Sequence, residues 1–149
     1  MTPTPCLICS LEDAEPAARV FSDDYWAAEV APGYEVPGWF FLRTRRHTEA
    51  LAGLNEAEAL LFGEHARQLA RAVAECTAAP ATYLMHFGES YRHFHALVVA
   101  RGHEVPSEQR GGAVIQLLAS NRDRPAALQV ASRVREALAA RNVSDATCQ

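Results

Sequence analysis

Apolar and polar positions divide the chain into short strands, one long helix, two further strands and a helical tail. Arg19 to Ser22 and Tyr25 to Ala31 carry β-branched and aromatic residues around the turn-forming Asp23-Asp24, which predicts a hairpin. Pro32-Gly33 and Pro37-Gly38 bracket a surface turn. Trp39 to Arg43 reads as a strand with a buried centre at Phe40-Phe41-Leu42. Asn55 is an N-cap candidate with Glu58 three residues on, a variant of the capping box. Ala57, Leu60, Leu61, Leu69, Ala72, Val73 and Cys76 then recur at helical spacing up to Ala79-Pro80, an amphipathic helix of about six turns. Thr82 to Phe87 and His93 to Arg101 read as strands joined by Gly88-Glu89-Ser90. Beyond Gly111-Gly112 the pattern returns to helix through Leu117-Leu118. A last helix runs from Pro125 to Ala140, with Leu128, Ala131, Val134 and Leu138 on one face. That order predicts an α+β fold with a mainly antiparallel sheet. Cys6 to Ala18 reads as irregular, with Pro16 and several acids.

Composition narrows the class without naming a chemistry. The 149 residues suit a single domain spanning 1–149, and 49% hydrophobic with 21% charged residues is ordinary for a globular protein. Against 18 Asp or Glu stand 14 Lys or Arg, a formal charge of −4; a nucleic-acid binder would want a basic face. No apolar run approaches the roughly 20 residues that span a bilayer, so no membrane partner is expected. Met1-Thr2-Pro3-Thr4-Pro5 has neither a basic nor an apolar leader region, which predicts a cytoplasmic protein.

The cysteines and histidines carry the chemical signal. Cys6 and Cys9 form a CxxC, while Cys76 and Cys148 stand alone. In a reducing compartment a CxxC is a metal half-site or a redox pair. Only a few residues precede this one, with no strand before it, so metal is favoured if two further ligands exist. Cys76 reads as a small apolar residue on a helix. In Tyr91-Arg92-His93-Phe94-His95-Ala96-Leu97-Val98-Val99-Ala100-Arg101, strand alternation puts His93, His95, Leu97 and Val99 on one side and Phe94, Ala96 and Val98 towards a core. A tetrahedral zinc takes four N or S ligands, Cys2His2 among the common sets. His47, His65, His86 and His103 are further candidates, and spacing does not choose among the histidines. His65 lies within the long helix, His103 in a loop, His86 on a strand that could line a pocket, and His47 at a chain reversal.

Taken together, Cys6-x-x-Cys9, Arg46-His47 and His93-x-His95-x-Leu97 followed by Arg101 resemble the histidine triad (HIT) superfamily. The likeness runs from Cys6 to about Arg101. The family motif His-φ-His-φ-His-φ-φ reads here as His93-Phe94-His95-Ala96-Leu97-Val98-Val99. Trp39 to His47 is similar to the family stretch ending Pro-Lys-x-His, with Thr44 for the proline; Glu29-Val30-Ala31-Pro32 resembles Asp/Asn-x-x-Pro, and Gly88-Glu89-Ser90 stands for Gly-Gln-Ser/Thr. The resemblance implies a HIT-like fold with an N-terminal zinc knuckle at 1–18 and a C-terminal helical extension at 111–149. It implies a structural zinc on Cys6, Cys9, His47 and His93, a nucleophile at His95, a phosphate-contacting hydroxyl at Ser90 and a ribose contact at Glu29. The implied activity is nucleotide phosphohydrolysis or nucleotidyl transfer through a covalent nucleotidyl-His95, on a small nucleotide or phosphate ester, in a homodimer. Two departures weaken the enzyme reading: Leu97 replaces the third histidine, which normally faces the leaving group, and Glu89 replaces a neutral glutamine. The alternative reading is therefore a HIT-like protein that binds a nucleotide or phosphate with weak or no turnover.

Overall fold

The computed structural model describes residues 5–146. Cys148 lies outside the described residues. Five antiparallel strands, β1 (Arg19–Ser22), β2 (Trp26–Glu29), β3 (Trp39–Thr44), β4 (Ala81–Met85) and β5 (His95–Arg101), form one sheet in the order β1-β2-β3-β5-β4. Three α-helices, α1 (Leu7–Ser10), α2 (Glu56–Thr77) and α3 (Arg124–Ala146), accompany them. This is the expected α+β architecture, and no helix among the described residues is long and apolar enough to cross a membrane.

Strand alternation splits the apolar residues between two cores. On one face Trp26, Ala28, Phe40, Leu42, Phe94 and Val98 meet Leu69, Ala72 and Val73 of α2 and Ala127, Val130, Ala131 and Val134 of α3. On the other face Trp39, Phe41, Leu97 and Val99 are covered by Ile8 and Leu11 from the N-terminus and by Val114 from a 3₁₀ segment, Gly111–Ala119. The segment expected to be irregular is thus helical at its start: α1 is followed by a 3₁₀ turn, Leu11–Asp13. A four-residue helix is shorter than the window over which periodicity shows.

Helix α2 starts where the sequence places it. The Asn55 side chain accepts from the Glu58 N–H, and the Glu58 carboxylate accepts from the Asn55 N–H, a complete capping box. It ends at Ala78, which adopts a left-handed conformation with φ 54°. Leu60, assigned to the apolar stripe, is 76% exposed, while its neighbours Leu61 and Phe62 pack against the core. Where β3 begins, Gly38 has φ 85°, and a Cβ there would lie 2.8 Å from the Ala100 Cβ. Only glycine lets the chain enter β3 this close to β5.

Candidate functional site

Strand β3 pairs with β5 so that Arg43 faces His95 and Phe41 faces Leu97. The pairing starts at His95, and His93 stands just before the strand rather than in it. There the backbone is held from two sides: Phe94 donates its N–H to the Thr48 carbonyl at 2.6 Å, and Thr44 donates to the Phe94 carbonyl at 3.3 Å. A proline at position 44 would lack that second donor.

These pairings bring together two ligand-bearing turns and the N-terminal CxxC. The ligand atoms of Cys6, Cys9, His47 and His93 all lie within 4.8 Å of one another. Cys6 Sγ is 3.6 Å from His93 Nδ1, while Cys9 Sγ is 3.4 Å from His93 Nδ1 and 3.3 Å from His47 Nδ1. In a tetrahedral site with zinc bonds of about 2.3 Å to sulfur and 2.0–2.1 Å to nitrogen, the S···N edge is about 3.5 Å. The buried His93 ring is also oriented as a ligand. Its Nε2 lies 2.7 Å from the Thr44 carbonyl, which can only accept, so Nε2 carries the proton and Nδ1 presents its lone pair to the sulfurs. Burial, followed by the neighbouring Cys6, pushes the Cys9 thiol pKa up, so two adjacent thiolates here need a cation between them. The donor set, the distances and the tautomer fit a structural zinc. Four protein ligands would close its coordination sphere, leaving the ion to staple the knuckle to the sheet rather than to act on substrate.

Beside this cluster His95 is fixed by the same logic. Its Nδ1 is 2.7 Å from the His93 carbonyl; Nδ1 is therefore the protonated nitrogen, and Nε2 keeps its lone pair. Burial holds the half-buried ring's pKa below its ordinary value. His95 opens on a cavity whose wall includes Ser90, Tyr34, Tyr91, Phe41 and Leu97. The Phe41 ring packs 4.9 Å from His95 and the Tyr91 ring 6.0 Å from it. Glu89 and Phe87 stand at the rim, both exposed. An imidazole with a free Nε2 beside hydroxyl donors can attack an electrophilic centre such as phosphorus.

Glu29, expected to meet a ribose, does not reach this cavity. The register puts it opposite Phe41 in β3, but the N-terminal knuckle closes over it. Glu29 and Arg43 are both fully buried, with Arg43 Nε 2.9 Å from Glu29 Oε1 and its Nη1 2.8 Å from Glu12 Oε1. A carboxylate so enclosed serves the guanidinium, because an unpaired buried charge is costly. The sequence carried a signal for this pair: an arginine inside the apolar run Phe40-Phe41-Leu42-Arg43 demands a buried acid. The other histidines are also placed. His65 Nε2 is 2.8 Å from Asp23 Oδ2; His103 is exposed. His86 follows β4, with Nδ1 2.7 Å from the His95 carbonyl and its ring 4.6 Å from Phe94. Among the wall residues that sequence reasoning missed are the two tyrosines, Met85 and Ile115.

No family model matches the sequence, and no curated protein matches it. Solved structures match it in fold. A HIT-like protein involved in cell-cycle regulation from Bartonella henselae superposes with a TM-score of 0.70 at 16% identity, covering 92% of this chain and 99% of that one. A zinc-bound histidine triad family protein from Mycobacterium smegmatis gives 0.69 at 19% identity, over 93% and 96%. A uridylyltransferase gives 0.64 at 18% identity, over 89% of this chain and 45% of that one. The chain thus has the histidine triad fold, with a Cys2His2 cluster at its N-terminal knuckle.

Proposed function

We propose that this protein is a nucleotidyl-transferring or nucleotide-hydrolysing member of the histidine triad group, with His95 as the nucleophile. One observation carries the reading: the His93 carbonyl accepts a hydrogen bond from His95 Nδ1–H, which leaves Nε2 free beside the cavity that Ser90 also lines. In the first step the Nε2 lone pair attacks an α-phosphorus, an N–P bond forms, and the bond to the leaving oxygen breaks with its electron pair. In the second, water or another acceptor displaces His95 and restores the imidazole. Ser90 supplies a hydrogen bond to a phosphate oxygen. A structural zinc on Cys6, Cys9, His47 and His93 keeps the His93 carbonyl in place, and a homodimer is the expected assembly. The test is incubation with diadenosine tetraphosphate followed by intact mass. The unaltered protein gains one adenylyl group and releases adenine nucleotides; His95→Ala does neither. Turnover that survives His95→Ala would overturn the assignment.

Leu97 favours a second reading. It lines the same cavity, only 6% exposed, where a histidine would offer a proton. A leucine offers none. Saturable binding of adenine nucleotides without turnover is the outcome that selects a binding protein over an enzyme.

A further inference from the structure

Leu97 stands where the histidine triad pattern has its third imidazole, and two phenols, Tyr34 and Tyr91, line the same cavity. Tyr34 follows the Gly33 turn, where φ is 85°, and its ring packs 4.8 Å from Phe41, the residue paired with Leu97 across β3 and β5. Tyr91 reaches in from the segment before the motif, its ring 6.0 Å from His95 and 6.4 Å from Tyr34. The two rings meet edge to face, and burial first, then the neighbouring Tyr91, push the Tyr34 phenol pKa up. Both rings are half-buried, which restricts where their hydroxyls can point. His86 is the other group near enough to be considered. Its Nδ1 is occupied by the His95 carbonyl, and its ring lies against Phe94, on the opposite side of the strand from Leu97.

We propose that the Tyr91 hydroxyl, positioned by Tyr34, donates a hydrogen bond to the departing oxygen of the substrate in place of the absent third histidine. The inference rests on the His95 reading given above. The bookkeeping of the step is unchanged: Nε2 gains the phosphorus, the departing oxygen leaves with the P–O electron pair, and the phenol proton stays on Tyr91. A phenol near pH 7 stabilises an anionic oxygen without transferring its proton, since its ordinary pKa is about 10. That suits a phosphate or nucleoside polyphosphate, which departs as a stable anion. It does not suit an amine, which must be protonated to leave. Tyr91 would thus touch the leaving half of the substrate and favour an anionic leaving group over an amine.

Two substrates with a common adenylyl half and different leaving groups test this. Tyr91→Phe should lower kcat on diadenosine tetraphosphate about 10- to 100-fold and change the p-nitrophenyl ester of AMP by less than about threefold, because p-nitrophenolate needs little help to leave. Tyr34→Phe should show the same selectivity with a smaller loss. The double variant should be no slower than Tyr91→Phe alone, as expected of a residue that acts through its neighbour. Equal losses on both substrates, or none, would overturn the proposal. Adenylylation of the unaltered protein, seen by intact mass, separates this failure from failure of the His95 reading. If the protein turns over neither substrate, the affinity ratio of ADP to AMP decides. Tyr91→Phe should reduce that ratio about tenfold, and an unchanged ratio rejects the contact.

Discussion

At the scale of single residues, the site is a set of tautomers fixed by carbonyl oxygens. A carbonyl cannot donate, so the Thr44 oxygen commits His93 to ligation through Nδ1, and the His93 oxygen commits His95 to a free Nε2. One backbone turn therefore serves the metal cluster and the proposed nucleophile together. Leu97 is the residue at which this arrangement departs from the family pattern, and its consequence is specific to the leaving group. Proton donation contributes about 10²- to 10⁴-fold, and an amine depends on it most. Adenosine phosphoramidate should accordingly be cleaved poorly by the unaltered protein. Leu97→His should raise that rate by about 10²-fold while changing diadenosine tetraphosphate turnover much less. Release of ammonia from the phosphoramidate measures it, and robust cleavage without the substitution would refute the role given to Leu97.

Among the elements, the knuckle and helix α2 do different work on the same loop. The knuckle is too short to hold itself: α1 has four residues, with Ile8 and Leu11 as its buried anchors. Metal ligation and the chain from half-exposed Glu12 to the buried Arg43–Glu29 pair must supply the rest. Removing the metal with a chelator should lower the melting temperature, and Cys9→Ser should lower it with no further loss on chelation. About one zinc per chain is expected in protein purified without chelator. Helix α2 holds the loop from its other end, because Glu58 both caps the helix and accepts from Arg46, the residue before His47, at 2.8 and 2.9 Å. The Arg46 hydrogen bond, foremost, holds the Glu58 carboxyl below its usual range. A depressed pKa in the folded state gives stability that is present above the unfolded value and is lost as pH falls through the folded one. Glu58→Ala should cost about 2 kcal/mol at neutral pH, a cap and a charged hydrogen bond together. That difference should shrink as the solution is acidified into the range where Glu58 itself protonates; a cost independent of pH would remove the Arg46 pair from the account.

For the molecule as a whole, what could be read ahead depended on how far apart in sequence the cooperating residues lie. The capping box at Asn55 and Glu58 is local, and it was legible. The four metal ligands come from three segments, and only likeness to a family pattern could choose His47 and His93 over the other histidines; the cross-strand pairing then supplies the reason. Glu29 was read as a ribose contact rather than as the partner of Arg43, because an arginine within an apolar run calls for a buried acid without saying which one. The exposed position of Leu60 was equally hidden, since Leu60 and Leu61 stand side by side in the chain and only the packing shows that Leu61 is the one that meets the core. That exposure bears on assembly. Leu60 is 76% exposed, Leu84 50% and Phe87 64%, and Leu84 sits on β4, an edge of the sheet. An edge strand with an outward leucine invites pairing with another strand, and a twofold axis beside β4 would join two sheets into one. Met85, next to Leu84 in the chain, and Phe87, three residues on, line the His95 cavity, so such a pairing would also steady the wall of the site. The expected solution mass is twice the 16.3 kDa of the chain. Leu84→Lys, which puts a charge on the edge without touching either core, should return it to the single-chain mass with the fold retained by circular dichroism. It should also weaken turnover, because the wall loses its support; a protein that is monomeric at micromolar concentration without the substitution would end this account of the edge.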